Sequence, residues 1–187
     1  ENEKLTGLSV EDTLYHIIRE MQDYAGKVAP IHISVGLSKV KNGELAAAAA
    51  QSRAAALDQF FRGTERVLCY EPGTVWVDPA AVVDHRTAAR IRSAMVKGGD
   101  SLFQELKAIL DQLHCGEERV DSGENLYEIL KKLMEQVCAC AETAYPEPEP
   151  REVLAAYGRR LCMCYSWSSC IRYFQTLCRD VSDTVAQ

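Results

Sequence analysis

Apolar and cysteine side chains recur every three or four residues through the end of the chain. They fall at Leu154, Tyr157, Leu161, Cys164, Ile171, Phe174, Cys178, Val181 and Val185, with Ser168 the one polar member. That spacing predicts a long amphipathic helix from Pro150 to Val185. Ser9 to Asp12 reads as a helix start, a serine cap with an acid three positions on. Leu14, Ile17, Ile18, Met21, Tyr24 and Val28 then share one helical face. Pro30 bends or stops that helix. Ile31 to Leu37 alternates like a strand but also fits a kinked continuation of the helix. The kinked helix is favoured, since Val75-Trp-Val77 offers the only strand partner.

A second long helix is predicted from Glu44 to Leu68, on the alanine run Ala46 to Ala50 and a seam through Ala54, Leu57, Phe61 and Leu68. Its small residues read as tight internal packing. Cys69 to Asp78 is a turn region. Asp78-Pro79 opens a helix, with Asp as cap and Pro at the first helical position. That helix is interrupted at Gly98-Gly99, recapped at Asp100 or Ser101, and stopped by Gly116 after Cys115. The next helix runs from about Glu124 to Ala144. The segment 145–150, with proline at alternate positions, reads as a stiff non-helical connector.

Antiparallel neighbours joined in this order give an all-α fold. It is an elongated bundle of three or four long helices in a single domain, 1–187, the longest spanning ~50 Å. More than ~60% of residues should be helical. Cys69, Cys138, Cys140, Cys162 and Cys164 then lie towards one end, and Cys115, Cys170 and Cys178 towards the other.

Composition changes this picture in two ways. A net charge of −6, with Lys and Arg dispersed, argues against a nucleic-acid surface. Eight cysteines in 187 residues read as up to four disulfides in an oxidising compartment. Across the 145–150 connector, Cys138 faces Cys162 most nearly, with Cys140–Cys162 and Cys138–Cys164 as alternatives. Cys115 has Cys170 and Cys178 within reach, and Cys69 takes whichever thiol is left. No run is long and apolar enough to span a bilayer. The chain begins at Glu1 without a methionine and reads as a processed fragment, so any membrane anchor lies outside it.

Catalytic and metal chemistry find little support. Cys138-x-Cys140 and Cys162-x-Cys164 could offer four thiolates, but residues two apart on a helix point in opposite directions, and structural zinc prefers wider spacing. No metal site and no cofactor are assigned. His16 with Glu20 is an ordinary helix-face pair, and none of His16, His32, His85 and His114 has a second His or carboxylate at a metal-helix spacing that repeats elsewhere. Phosphate loops, nucleophile elbows and zinc-protease motifs are absent, and the chain reads as non-catalytic. Tyr70, Trp76, Trp167 and Arg172 are the candidate binding residues, being aromatic or Arg side chains of the kind that anchor interfaces.

The alanine-rich helix over Glu44 to Leu68, the cysteine-bordered loop Cys69 to Asp78 and the cysteine-bearing C-terminal region resemble the ectodomains of trypanosome surface proteins. These are the invariant surface glycoproteins and the related helical-bundle receptors. The resemblance implies an extracellular, membrane-anchored bundle that binds a protein partner, such as a host protein, or shields the membrane. The chain departs from those glycoproteins in having no Asn-x-Ser/Thr acceptor. The competing expectation is a cytosolic helical scaffold or zinc-binding adaptor with reduced cysteines. Homo-oligomerisation stays open.

Overall fold

The computed structural model describes residues 10–28, 33–40, 44–63, 67–72, 76–98, 100–115, 120–161 and 164–185. Of these, 77% are helical, so the chain is all-α as expected. Ser9, residues 31–32 and Cys162, which carried sequence expectations, lie outside the described residues. The contacts gather into two compact units, Glu1–Glu71 and Pro72–Gln187.

The first unit holds α1 (Val10–Val28), β1 (Val35–Leu37), α2 (Leu45–Leu57), α3 (Gln59–Arg62) and β2 (Val67–Cys69). The kinked-helix expectation over 31–37 is corrected here. β1 is a strand, paired in parallel with β2 in the register Val35–Val67, Gly36–Leu68 and Leu37–Cys69. Its partner comes from the segment read as the end of one long helix. That helix stops because Gly63 adopts φ 89°, a backbone state that residues with a Cβ avoid. β-Branched Val67 then opens a strand.

α2 is the crossover between the strands and packs on both. A Cβ on Gly36 would lie 1.9 Å from the Ser52 carbonyl oxygen and 2.6 Å from the Ala56 amide nitrogen. Glycine on the strand, facing small residues on the helix, therefore lets the two backbones approach closely. Ala55 is fully buried in that seam, so the alanine run serves packing as well as helix propensity.

α1 behaves differently from its expected role. Its inward residues are Tyr15, Ile18, Gln22 and Ala25. The Tyr15 hydroxyl lies 3.2 Å from the Cys69 thiol, and Gln22 donates to the Ile33 carbonyl at 2.7 Å. Of the predicted apolar face only Ile18 is buried; Leu14, Ile17, Met21, Tyr24 and Val28 are exposed.

The second unit holds α4 (Pro79–Val82), α5 (His85–Lys97), α6 (Ser101–Cys115), α7 (Gly123–Ala144), α8 (Pro148–Gly158) and α9 (Trp167–Val185). Asp78 caps α4 by accepting from Ala80 N at 2.9 Å. Asp84 caps α5 through Thr87 N at 2.8 Å, which breaks the helix expected to run on through Val83. α5 packs on α6 and α7, α8 packs on α7 and α9, and α6 closes the ring against α9. Ile91, Leu106, Leu110, Leu130, Leu133, Leu154, Phe174 and Leu177 fill the interior.

Asn125, with no exposed surface, ties an extended segment to this core. Its carboxamide accepts from Val77 N at 2.9 Å and donates to Val77 O at 2.8 Å. These are the two bonds a neighbouring strand would supply. Removing the carboxamide would leave both groups of a buried residue unpaired, a cost of about 1–3 kcal/mol for each.

Three expectations for the C-terminal third are corrected. Pro148 and Pro150 sit in the first turn of α8, where a missing N–H forfeits no helical bond. The continuous helix from Pro150 to Val185 is instead two helices, α8 ending at Gly158 and α9 beginning at Trp167. α9 restarts at a reciprocal serine cap. Ser166 Oγ accepts from Ser169 N at 3.1 Å, and Ser169 Oγ accepts from Ser166 N at 2.9 Å. The longest described helix, α7, has 22 residues, about 33 Å at 1.5 Å per residue, shorter than the ~50 Å expected.

The disulfide expectation also changes. Cys69, Cys115, Cys138, Cys140, Cys164, Cys170 and Cys178 are all free thiols. Cys170, expected at the opposite end from Cys164, falls beside it in the first turn of α9. The break in the helix moves it there.

The close approach at Gly36 makes a specific prediction. Gly36→Ala forces α2 away from β1 and should destabilise the chain by about 3 kcal/mol, the upper range for overpacking. Urea unfolding followed by circular dichroism measures it. A change under ~0.5 kcal/mol, the range of an ordinary surface substitution, would show that the strand–helix contact is looser than described.

Candidate binding cleft

The break between α8 and α9 creates a cleft of about 290 Å³ in the second unit, lined by Tyr157, Arg160, Tyr165, Ser169, Arg172, Tyr173 and Thr176. Tyr157 comes from the last turn of α8 and Arg160 from the turn that follows. Tyr165 lies just before the Ser166 cap, and Arg172 and Tyr173 come from the second turn of α9. The reciprocal serine cap fixes where α9 begins, and so fixes how far Tyr165 stands from Arg172.

The floor is a tyrosine pair. The Tyr157 and Tyr173 rings meet edge to face at 5.3 Å and 69°, and Tyr173 packs edge-on to the buried Phe174 at 5.3 Å. The Tyr173 hydroxyl donates to the Tyr157 carbonyl, and the Tyr157 hydroxyl donates to Asp180 Oδ2 at 2.6 Å. Burial, then the bond to Asp180, pushes the Tyr157 phenol up to about 12. Tyr173 is raised as well, by burial first and then by the nearby thiols of Cys164, Cys170 and Cys138. These rings are neutral and rigidly placed at physiological pH.

The walls are cationic. Arg160 and Arg172 are exposed, neither forms a salt bridge among the described residues, and no carboxylate lines the cleft. On the other side of Arg172 a wider groove of about 690 Å³ continues between α6 and α9, past Gln104, Cys178 and Asp183.

Beneath the cleft, the Cys170 thiol is hydrogen-bonded to Cys164. That bond first, and then burial, raises its pKa strongly. Burial also pushes Cys178 up to about 12. Thiols held protonated at neutral pH are poor nucleophiles, so neither is an activated catalytic cysteine. Cys140 turns the other way on α7, donating to the Ala88 carbonyl at 3.6 Å, which separates it from Cys138. Among the described residues no three His, Cys, Asp or Glu side chains are placed to hold a metal ion. No described helix is long and apolar enough to cross a membrane.

The four sequence candidates do not form one site. Arg172 lines the cleft. Trp167 is half-buried and stacks on His114, ring centroids 4.5 Å apart, clasping the start of α9 to the end of α6. Trp76 is 61% exposed and sits one residue before the anchored Val77. Tyr70 belongs to the first unit, where its amide donates to Leu37 O at 2.8 Å. The sequence pointed to Tyr157 only as a member of a helical seam and gave no sign of Arg160. Ser166, a residue type that favours helix N-caps, was the signal that could have located the break and with it the cleft.

The Tyr157 pair yields a pH prediction. A phenol whose folded pKa lies above its unfolded value near ~10 contributes stability that is complete below pH ~10 and lost as pH rises towards about 12. Tyr157→Phe should therefore be less stable than the parent by a constant margin from pH 7 to 9, narrowing by pH 11. Urea midpoints of both proteins across that range measure it. A margin that widens above pH 10 would contradict the bond to Asp180.

No protein-family model, no curated protein and no solved structure matches the chain.

Proposed function

We propose that the chain is a non-catalytic protein-binding module that takes an acidic segment of a protein partner into the tyrosine–arginine cleft between α8 and α9. One observation carries this. Two exposed guanidiniums, Arg160 and Arg172, flank a cleft whose lining contains two exposed or half-exposed tyrosines and no carboxylate. Arg pairs with carboxylates by two parallel bonds, and Tyr adds contact area at small entropic cost. In a chain of net charge −6, a cationic patch is also where an acidic partner would be steered. Trp76, exposed on a backbone held by Asn125, is a further contact for the same partner.

An array of peptides graded from Glu/Asp-rich to Lys/Arg-rich tests the reading. The parent should retain the acidic members, and the variant carrying Arg160→Glu and Arg172→Glu should lose them by tenfold or more, about 1.4 kcal/mol. Equal retention across the array, or a preference for basic peptides, would overturn it.

The compartment is proposed to be extracellular, with the module displayed at a cell surface as a receptor or coat component. The cysteine content supports this, as does the architectural resemblance to trypanosome surface ectodomains. In that setting Cys164 and Cys170, already in contact, would form one of the disulfides of a stapled, elongated bundle. The second reading is a cytosolic helical scaffold with reduced cysteines, and one observation favours it: all seven described cysteines are free thiols. Counting thiols in the freshly isolated protein under denaturant separates the two. Near zero supports the surface module, and the full eight supports the scaffold.

A further inference from the structure

α1 turns an unpartnered apolar stripe to solvent. Leu14, Ile17, Met21, Tyr24 and Val28 follow one another at steps of three and four, and Tyr24 is 71% and Val28 68% exposed. The steps are those of alternating a and d positions in a coiled coil, with Leu14, Met21 and Val28 at a and Ile17 and Tyr24 at d. The two flanks of this stripe differ. The e flank, Ile18 and Ala25, packs inward on α1's own unit. The g flank carries opposite charges one heptad apart, Glu20 and Lys27. Glu20 lies 3.3 Å from His16 and stays 70% exposed. Lys27 forms no salt bridge among the described residues and is exposed.

We propose that this face is the interface for a second copy of the chain, paired through α1 in antiparallel orientation. Antiparallel helices bring g against g and a against d. Centred between Gln22 and Asp23, the pairing sets Met21 against the partner's Tyr24 and Ile17 against the partner's Val28. In that same register Glu20 meets the partner's Lys27, and two-fold symmetry forms each contact twice. The parallel alternative opposes g with the e position of the next heptad, which would place Glu20 against buried-side Ala25 and forms no ion pair. The charge pattern therefore selects the antiparallel copy. The inference is independent of the tyrosine–arginine cleft, which lies in the other unit. The polar side of α1 carries Asp23 and Glu20 beside Arg19 and Lys27, so it offers no net attraction to an anionic membrane.

A single pair of 19-residue helices forms a small interface, of the class that associates weakly. Sedimentation equilibrium of the whole chain at concentrations of about 1–200 μM should show a monomer–dimer equilibrium. Met21→Lys should abolish it with an unchanged circular dichroism spectrum, since Met21 is exposed. Glu20→Lys alone, and Lys27→Glu alone, should each weaken self-association about tenfold or more, because each turns two attractive pairs repulsive. Mixing those two single variants should restore dimers, since every Lys then faces a Glu. A chain monomeric throughout overturns the proposal. So does a dimer indifferent to the charge swaps, which would use another face or the parallel orientation. A monomer that instead co-sediments with phosphatidylcholine vesicles also overturns it, assigning the stripe to a lipid surface.

Discussion

The buried carboxamide of Asn125 is the constraint on which the second unit depends. An extended segment entering a helical core brings an amide and a carbonyl that no helix can satisfy, because helices use their own backbone groups internally. Asn125 answers both at Val77, over distances of 2.9 and 2.8 Å. The short helix α4 follows directly from that point, capped by Asp78, and packs on α7. Val77 is drawn in and its neighbour Trp76 is left facing solvent, since adjacent residues of an extended chain point to opposite sides. One polar group thus sets the entry point of the chain and the display of its most exposed tryptophan.

The cleft arises from a comparable local event. An uninterrupted helix from Pro150 to Val185 would have carried Tyr157, Arg160 and Arg172 at different bearings along one rod. The chain instead leaves the helix after Gly158 and is recaptured by the Ser166–Ser169 cap, and this detour folds α8 back against α9. Two tyrosines then meet edge to face, and two arginines that form no salt bridge among the described residues flank them. The same detour carries Cys170 to Cys164, so charge, aromatic surface and paired thiols share one origin.

What could be read from the sequence was mostly what local chemistry decides. Asp78 before Pro79, the Gly98 stop and the helices over 101–115 and 123–144 follow from caps, glycine and apolar period, and the structure has them. The failures are places where a local signal was ambiguous and distant contacts chose. Ile33 to Leu37 alternates as a strand does, but its partner was hidden at the end of an apparently helical run, and only Gly63 marked the change. Prolines 148 and 150 looked like helix breakers, yet a first turn has no use for their missing donors. On α1 the apolar period was right and its direction was not. Periodicity shows that a helix has a face, and the hydrogen bonds of Tyr15 and Gln22 decide which face turns inward.

The β1–α2–β2 arrangement also bears on how the first unit comes to be formed. Val35 and Val67 pair although they lie thirty-two positions apart, and closing so long a loop costs entropy before any ladder bond repays it. An alanine-rich helix assembles from neighbouring residues alone, in about a microsecond, and shortens the separation that remains to be closed. The alanines that permit a close fit at Gly36 would thereby also set the order of events, with the helix formed first and the strands meeting across it afterwards.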